Sequence, residues 1–405
     1  MRTTLFSNFK IKDLFLILIM AGSVGLIVHF TFIDRLGFWR FIYPVQAQIA
    51  IFNIHCSKNS PIWMQSSLKY IIYNQKTLSN QLAYIDQNNH IYTCQSGWQK
   101  KTLLSKSISE NTRFRYASMT KIVTHNAVIE LINQGKLALD DRMVNFFVEL
   151  KDQKFKDNRM KNITISDLLQ HRSGFDRMRS EDVMFASNKT PWCPKQLDKI
   201  LTVKLDFEPN KYYAYDNRNS CLLGAVVERI TGKNYRNYIQ QKYKLNDRNI
   251  RFVDGAYYPD EVRYDFRNSD FWMEGYSKQF DFNALSSSAG LSGSAKSLSQ
   301  LIKKMLNKNP LNILSIASDN LQHCDISIFK SCNGYAMWQY QKNKQSHIMF
   351  FKNGVLPAAT SLAMVTDKQE VIVWTSNGAT LYSENLDGNL LEKYFYQIFN
   401  SENLK

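Results

Sequence analysis

Ser118 and Lys121 stand three residues apart in FRYASMTK, residues 114–121, at the head of an apolar run. Three positions is just under one helical turn, so the two side chains share a face. A desolvated lysine loses proton affinity and then takes a proton from a neighbouring hydroxyl, which makes Ser118 a nucleophile toward an acyl carbonyl. At a helix N-terminus, free N–H groups also stabilise a developing oxyanion. The same pair has a plainer reading, in which Ser118 caps the helix and Lys121 is solvated. S-x-x-K does not choose between them, because short patterns recur. Ser66-Ser-Leu-Lys69 has the same spacing and reads as the solvated face of an N-terminal helix. Ser118 differs in its surroundings, since Phe114, Tyr116 and Ala117 precede it and apolar residues follow.

Two further stretches bear on the choice. Tyr215-Asp216-Asn217 lies just ahead of the apolar helical run NSCLLGAVVERIT, and Lys352-Asn353-Gly354 closes the strand-like run that starts at Ile348. Each is uninformative alone. In the order S-x-x-K, Y-x-N, K-x-G they make the chain resemble the serine β-lactamase and penicillin-binding-protein superfamily, above all its class C β-lactamase-related branch of esterases and peptidases. GKLALDD, ITISDLLQHRSG and SSAGLSGSAKSLSQLIKKML resemble family segments in the same order, so the likeness spans roughly residues 80–400.

The resemblance implies roles. Ser118 is the nucleophile and Lys121 its base. Tyr215 shares the proton relay and protonates the leaving group. Asn217 orients Lys121 or holds a substrate amide. Lys352 supplies positive potential, Gly354 leaves room along the strand edge, and the N–H of Val355 joins that of Ser118 in an oxyanion hole. Asn353 takes the place of the family's usual threonine and is expected to donate to a substrate carboxylate. Asp216 stands where serine is usual, which puts a negative charge beside the relay. Pro209-Asn210 replaces the usual Pro-Gly, and Val355-Leu-Pro-Ala-Ala359 replaces a glycine-rich run. His171 reads as part of a structural loop and not as a triad base. Trp272 and Trp338 read as core or cleft wall.

The elements that must position these groups follow from pattern. Trp63–Ile72 reads as a helix, and Gln81–Asp86 with His90–Cys94 reads as a hairpin around Gln87-Asn88-Asn89. The helix from Ser118 stops at Gly135, and the one from Asn219 at Gly232. Residues 286–293 are small and turn-rich, and Ala295–Leu306 is helical. Ile348–Lys352, Ser361–Val365 and Glu370–Trp374 read as strands, with a last helix from Leu386 to Phe399. Strands at both ends with helices between predict an α/β (α+β) fold: one antiparallel sheet built from the two termini, with an inserted helical lobe. The sheet lobe is expected at 61–125 and 285–405, and the helical lobe at 126–284.

Leu14 to Ile33 holds about 20 residues without formal charge, long enough to span a bilayer. Arg2, Lys10 and Lys12 precede it, which favours a cytoplasmic tail (1–13) and an exported domain after a connector at 34–60. Secretion after signal cleavage is the alternative, but the nearest small-residue site, Val45-Gln46-Ala47, lies well beyond the apolar run. The formal charge of +16 suits anionic surfaces, while no basic run interleaved with aromatics points to nucleic acid. Six cysteines in an exported chain permit disulfides, with Cys324 and Cys332 near enough for a small loop and Cys221 expected as a buried free thiol. The seven histidines show no zinc spacing, and no cofactor is expected. The sequence thus predicts a membrane-anchored serine hydrolase for an amide or ester. A β-lactamase is the alternative, and an idle binder of wall fragments is the alternative from another class.

Overall fold

The computed structural model describes residues 10–180, 182, 190–265, 280–306, 309–319, 324–378 and 390–401. Trp272 and the expected start of the last helix at Leu386 lie outside them. The elements in chain order are Ile11–Val28 (α1), Arg35–Ile49 (α2), His55–Cys56 (β1), Ile62–Gln75 (α3), Ser79–Ile85 (β2), Ile91–Ser96 (β3), Phe114–Arg115 (β4), Thr120–Asn133 (α4), Ile165–Leu169 (α5), Asn217–Thr231 (α6), Tyr235–Lys242 (α7), Arg251–Phe252 (β5), Leu291–Gly293 (β6), Ala295–Met305 (α8), Cys332–Asn333 (β7), Trp338–Tyr340 (β8), Met349–Leu356 (β9), Ala359–Thr366 (β10), Val371–Asn377 (β11) and Leu390–Asn400 (α9). Past α1 a wider helical turn continues to Ile33. Ile11–Ile33 is therefore one apolar span of 23 residues with mean hydropathy 2.3, none of it packed inside the protein.

The two ends of the domain meet in one antiparallel sheet of order β1-β3-β2-β11-β10-β9-β8-β7. Register decides which side chains face which layer, because alternate residues point to opposite faces. Leu82, Trp374 and Leu362 stand in one row, and Ala83, Val373, Ala363 and Lys352 in the next. The first row faces α3 and α9, where Met64, Leu68, Phe395 and Phe399 close a core. The face carrying Ala83, Val373 and Ala363 joins the larger core with Ile122 and Val123 of α4, Leu222 and Val226 of α6, and Leu298 and Ile302 of α8. A second, small sheet of order β4-β6-β5 leads the chain into the turn before α4. The expected mixed fold, with its terminal sheet and flanking helices, is the one observed.

Three expectations need correction. Lys352-Asn353-Gly354 lies in the body of β9, not at its end, because pairing with β10 continues to Leu356 after the apolar run stops. Residues 34–60 are not a loose connector. Tyr43 and Ala47 of α2 bury against Leu78, β1 pairs with β3, and Cys56 bonds to Cys94. Cys221 is not free, since it bonds to Cys193 and so ties the middle of α6 to the loop ahead of it. Its apolar setting gave no sign of a partner 28 residues away. Cys324 and Cys332 do pair.

Closing a loop of 28 residues restricts the unfolded chain by about 3.5 kcal/mol. The Cys193→Ala/Cys221→Ala double variant is therefore expected to lose about that much stability. Urea unfolding checks this, and an unchanged midpoint would show that the cross-link adds nothing.

Candidate active site

Ser118 sits in a short 3-10 turn, Ala117–Met119, that runs directly into α4. Ala117 has φ +49°, a left-handed conformation that an L-residue adopts at a cost of about 1–2 kcal/mol. Neighbouring groups fix that bend. Tyr116 N–H donates to the Leu291 carbonyl, Tyr116 Oη donates to the Ser294 carbonyl, and Ser361 Oγ donates to the Tyr116 carbonyl. Ser118 is about nine-tenths buried, and Lys121 is fully buried.

Lys121 Nζ has three polar neighbours: Asn217 Oδ1 at 2.7 Å, the Ser288 carbonyl at 2.9 Å and Ser118 Oγ at 3.2 Å. The first two oxygens only accept. A neutral amine has two N–H groups to give them, which leaves its lone pair directed at Ser118 Oγ. Burial, helped by the charge on Lys352, holds the Lys121 amine well below the usual lysine range, while Asp182 pulls the other way. Lys121 is thus set up as a base. The solvated alternative does not survive here, although it holds for Ser66 and Lys69, both exposed on α3.

The start of α6 supplies the rest of the relay. Tyr215 Oη donates to Ser118 Oγ at 2.7 Å. Its ring stacks on His171, 4.6 Å between centroids, and both Lys121 and Lys352 approach it, at 5.0 and 5.2 Å from the centroid. His171 Nδ1 accepts from the Asp216 N–H and from Asn219 Nδ2, so its proton is on Nε2, and burial keeps the ring neutral. His171 supports Tyr215 and makes no bond to Ser118. Asn217 Nδ2 donates to Asp182 Oδ2 at 2.6 Å. Both ends of this amide are therefore occupied, which fixes its orientation toward Lys121. Asp216 caps α6 and binds Arg218 through both carboxylate oxygens, at 2.8 and 2.7 Å. Its charge is matched locally by Arg218, though it still raises the proton affinity of Lys121 slightly, against the larger effect of burial.

Strand β9 forms the wall opposite. Lys352 is buried, its Nζ 4.8 Å from the Trp338 ring centroid, and burial with nearby Lys330 pushes its amine down to about 7. A Cβ on Gly354 would lie 2.5 Å from the Tyr116 carbonyl and 2.8 Å from the Ser118 nitrogen, so only glycine lets this strand pass under the nucleophile. Gly224 serves α6 in the same way. A Cβ there would stand 2.7 Å from Ser287 Cβ, and the close approach brings the Ser288 carbonyl to Lys121. Val355 lies at the exposed lip. Asn353 does not line the cleft. Strand alternation turns its amide to the opposite face, where it donates to Glu392 of α9 at 3.2 Å.

The geometry therefore unites Ser118, Lys121, Tyr215, Asn217, Lys352 and Gly354, and leaves Asn353 out. Sequence reasoning missed Ser288, Asp182 and the support under Tyr215. A backbone carbonyl has no sequence signature, and Asp182 sits in polar sequence that resembles any loop.

The Beta-lactamase family model matches residues 81–394. The chain belongs to that family. Two Dichelobacter nodosus proteins, "Probable fimbrial assembly protein FimD, serogroup H1" and "Putative fimbrial assembly protein FimD, serogroup D", are each 35% identical over 397 residues, 98% of this chain and 98% of theirs. In fold it is similar to the D-amino acid amidase from Ochrobactrum anthropi SV3 (TM-score 0.58, 17% identity, 80% of this chain and 95% of the amidase). It is also similar to the octameric penicillin-binding protein homologue from Pyrococcus abyssi (TM-score 0.57, 18% identity, 83% and 77%). Members of this family are mostly serine hydrolases, and acyl-enzyme chemistry at a serine is the general activity the fold supports.

Gly354→Ala is expected to displace Ser118 and lower kcat/KM by about 100-fold, since errors near 1 Å in placement have that effect. Rates near wild type would show that the strand yields. Lys352 gives a second expectation. Its folded value near 7 lies below the unfolded lysine value, so the unfolded chain binds the extra proton between about pH 7 and 10. Stability should rise with pH across that window. Lys352→Met should remove its share of the slope, leaving that of Lys121, and stabilise the protein by ~2–4 kcal/mol at pH 7, which melts at several pH values would register.

Proposed function

We propose that the protein is a membrane-anchored serine hydrolase that cleaves an amide or ester, of the D-amino-acid or wall-peptide kind or a carboxylic ester, through an acyl-enzyme at Ser118. The observation that carries this reading is that Ser118 Oγ lies within reach of two proton carriers at once, Lys121 Nζ at 3.2 Å and Tyr215 Oη at 2.7 Å. Neutral Lys121 takes the hydroxyl proton as Oγ attacks the carbonyl carbon. The N–H groups of Ser118 and Val355 receive the oxyanion. Tyr215 gives a proton to the departing nitrogen or oxygen as the tetrahedral intermediate collapses. Water enters by the same route to release the acid. Beside Tyr215 a groove of about 470 Å³, with Arg177, Arg179, Phe207, Tyr212 and Tyr213 in its wall, gives room for a substrate carrying aromatic or anionic groups.

The apolar span Ile11–Ile33 supports the anchor, and three disulfides support an oxidising, extracytoplasmic setting for the domain. The names of the D. nodosus relatives support an envelope setting as well. Glycine-rich sequence after the K-x-G motif is replaced here by Val355 and Leu356, which favours amide or ester hydrolysis over rapid β-lactam turnover.

The test is intact mass and product analysis with benzylpenicillin, a D-amino acid amide and a short-chain ester, run beside Ser118→Ala. An acyl adduct or turnover in the wild type alone is the expected result, with Ser118→Ala and Lys121→Met each slower by ~10⁴-fold or more. Fast hydrolysis of penicillin with a fleeting adduct would instead favour a β-lactamase. Binding of all three probes without chemistry would make the protein an idle binder and overturn the proposal.

A further inference from the structure

Helix α2 has two different faces. Tyr43, Ala47 and Ala50 turn inward and are fully buried. On the other side Phe38, Phe41 and Val45, followed by Phe52 beyond the helix, make a stripe at spacings of three, four and seven, with exposures of 37%, 76%, 62% and 91%. Helical geometry puts Phe38, Phe41 and Val45 on one face, and Phe52 follows in the 3-10 turn that continues α2. They are fixed in place, because the inward face and the Cys56–Cys94 bond hold the segment to the sheet.

A second apolar point stands beside this stripe. The chain from Trp98 to Ser107 folds back on itself, with Gln99 N–H bonded to the Lys106 carbonyl, and carries Leu103 and Leu104 at its tip, 64% and 82% exposed. Lys100, Lys101 and Lys106 flank the pair, and no acidic residue occurs between Trp98 and Ile108. Asn53 Nδ2, one residue after Phe52, donates to the Gly97 carbonyl and to Ser107 Oγ, and so fastens the base of this loop to the segment that follows α2.

We propose that the outer face of α2 and the Leu103-Leu104 tip together form a surface that lies in the head-group layer of an anionic bilayer, the one entered by the Ile11–Ile33 span. The inference rests on the anchor reading given above. A lipid surface fits better than a protein because α2 follows the span with only Asp34 between them, and its stripe opens one helical turn later at Phe38. Leucines ringed by lysines also match an apolar layer topped by phosphates.

The surface also orients the cleft. Ser361, which bonds to the turn of the nucleophile, is in register with Thr375, Gln81 and Gln95 across β10, β11, β2 and β3. Three strand spacings amount to about 14 Å, so the serine lies at the same end of the sheet from which the Leu103-Leu104 loop departs. Substrate held at the bilayer surface would be within reach.

The test uses the full-length chain in vesicles of phosphatidylglycerol and phosphatidylcholine, with a diazirine-bearing lipid as photoprobe and peptide mapping by mass spectrometry. Adducts are expected on three segments: 11–33, 38–52 and 98–107. Those on 98–107 should fall severalfold in pure phosphatidylcholine. Leu103→Ser/Leu104→Ser should lose them at least fivefold while keeping the adducts on 11–33 and the same Tm. Adducts confined to 11–33 would overturn the docking surface and leave the anchor standing. No adducts on 11–33 would remove the anchor, and this inference with it.

Discussion

Burying the amine of Lys121 against two oxygens that cannot donate is the arrangement on which the other parts of the site depend. Burial and the nearby Lys352 charge favour the neutral form there, and its two N–H groups go to those oxygens, so its lone pair has one direction left to face. Asn217 must then present its oxygen and not its nitrogen, and Asp182 enforces that choice by accepting from the other end. The turn at Ser286–Ser288 must come close enough for a backbone carbonyl to reach the amine, which the lack of a side chain at Gly224 allows. Lys352 adds a second buried cation that disfavours charge on the first. Each feature would be hard to explain alone, and together they keep one proton off one nitrogen.

The departures from the family pattern take on a different weight once their neighbours are known. Asp216 lies in the helix cap under Arg218, where its charge is matched and its hydrogen bonds are used. Asn210 stands in for glycine at φ +60°, a conformation asparagine tolerates better than most residues. Asn353 belongs to the packing of α9 against the sheet. None of the three touches the reacting atoms. The replacements therefore change the scaffold's details and leave the arrangement of Ser118, Lys121 and Tyr215 in place.

The fold was legible in the sequence for a physical reason, whereas the groups expected at the site came from the resemblance carried by three short motifs. Strand alternation and helix stops are local signals, and local signals survive without coordinates. What escaped was set by partners distant in the chain. The Ser288 carbonyl looks like every other carbonyl, and Asp182 means nothing without Asn217 opposite. Nothing in the apolar setting of Cys221 showed that Cys193 would face it. The segment at 34–60 was misjudged because its inward face is only a few residues wide. A stripe of Tyr43, Ala47 and Ala50 carries too little hydrophobic pattern to announce that it packs on a sheet. Asn353 was misplaced because a motif gives residue types and not the face of the strand.

The bond from Ser361 to the Tyr116 carbonyl joins positions 245 apart, and that from Trp374 to Asn80 joins positions 294 apart. Contacts of such separation form slowly and only after the whole intervening chain exists. A ribosome makes the serine and its base early, but the strand that passes beneath them is near the other end. A chain still in synthesis therefore holds Ser118 on a turn with nothing under it, beside a lysine still open to water. Order of synthesis thus leaves the surroundings of Ser118 and Lys121 incomplete until the last strands have been made.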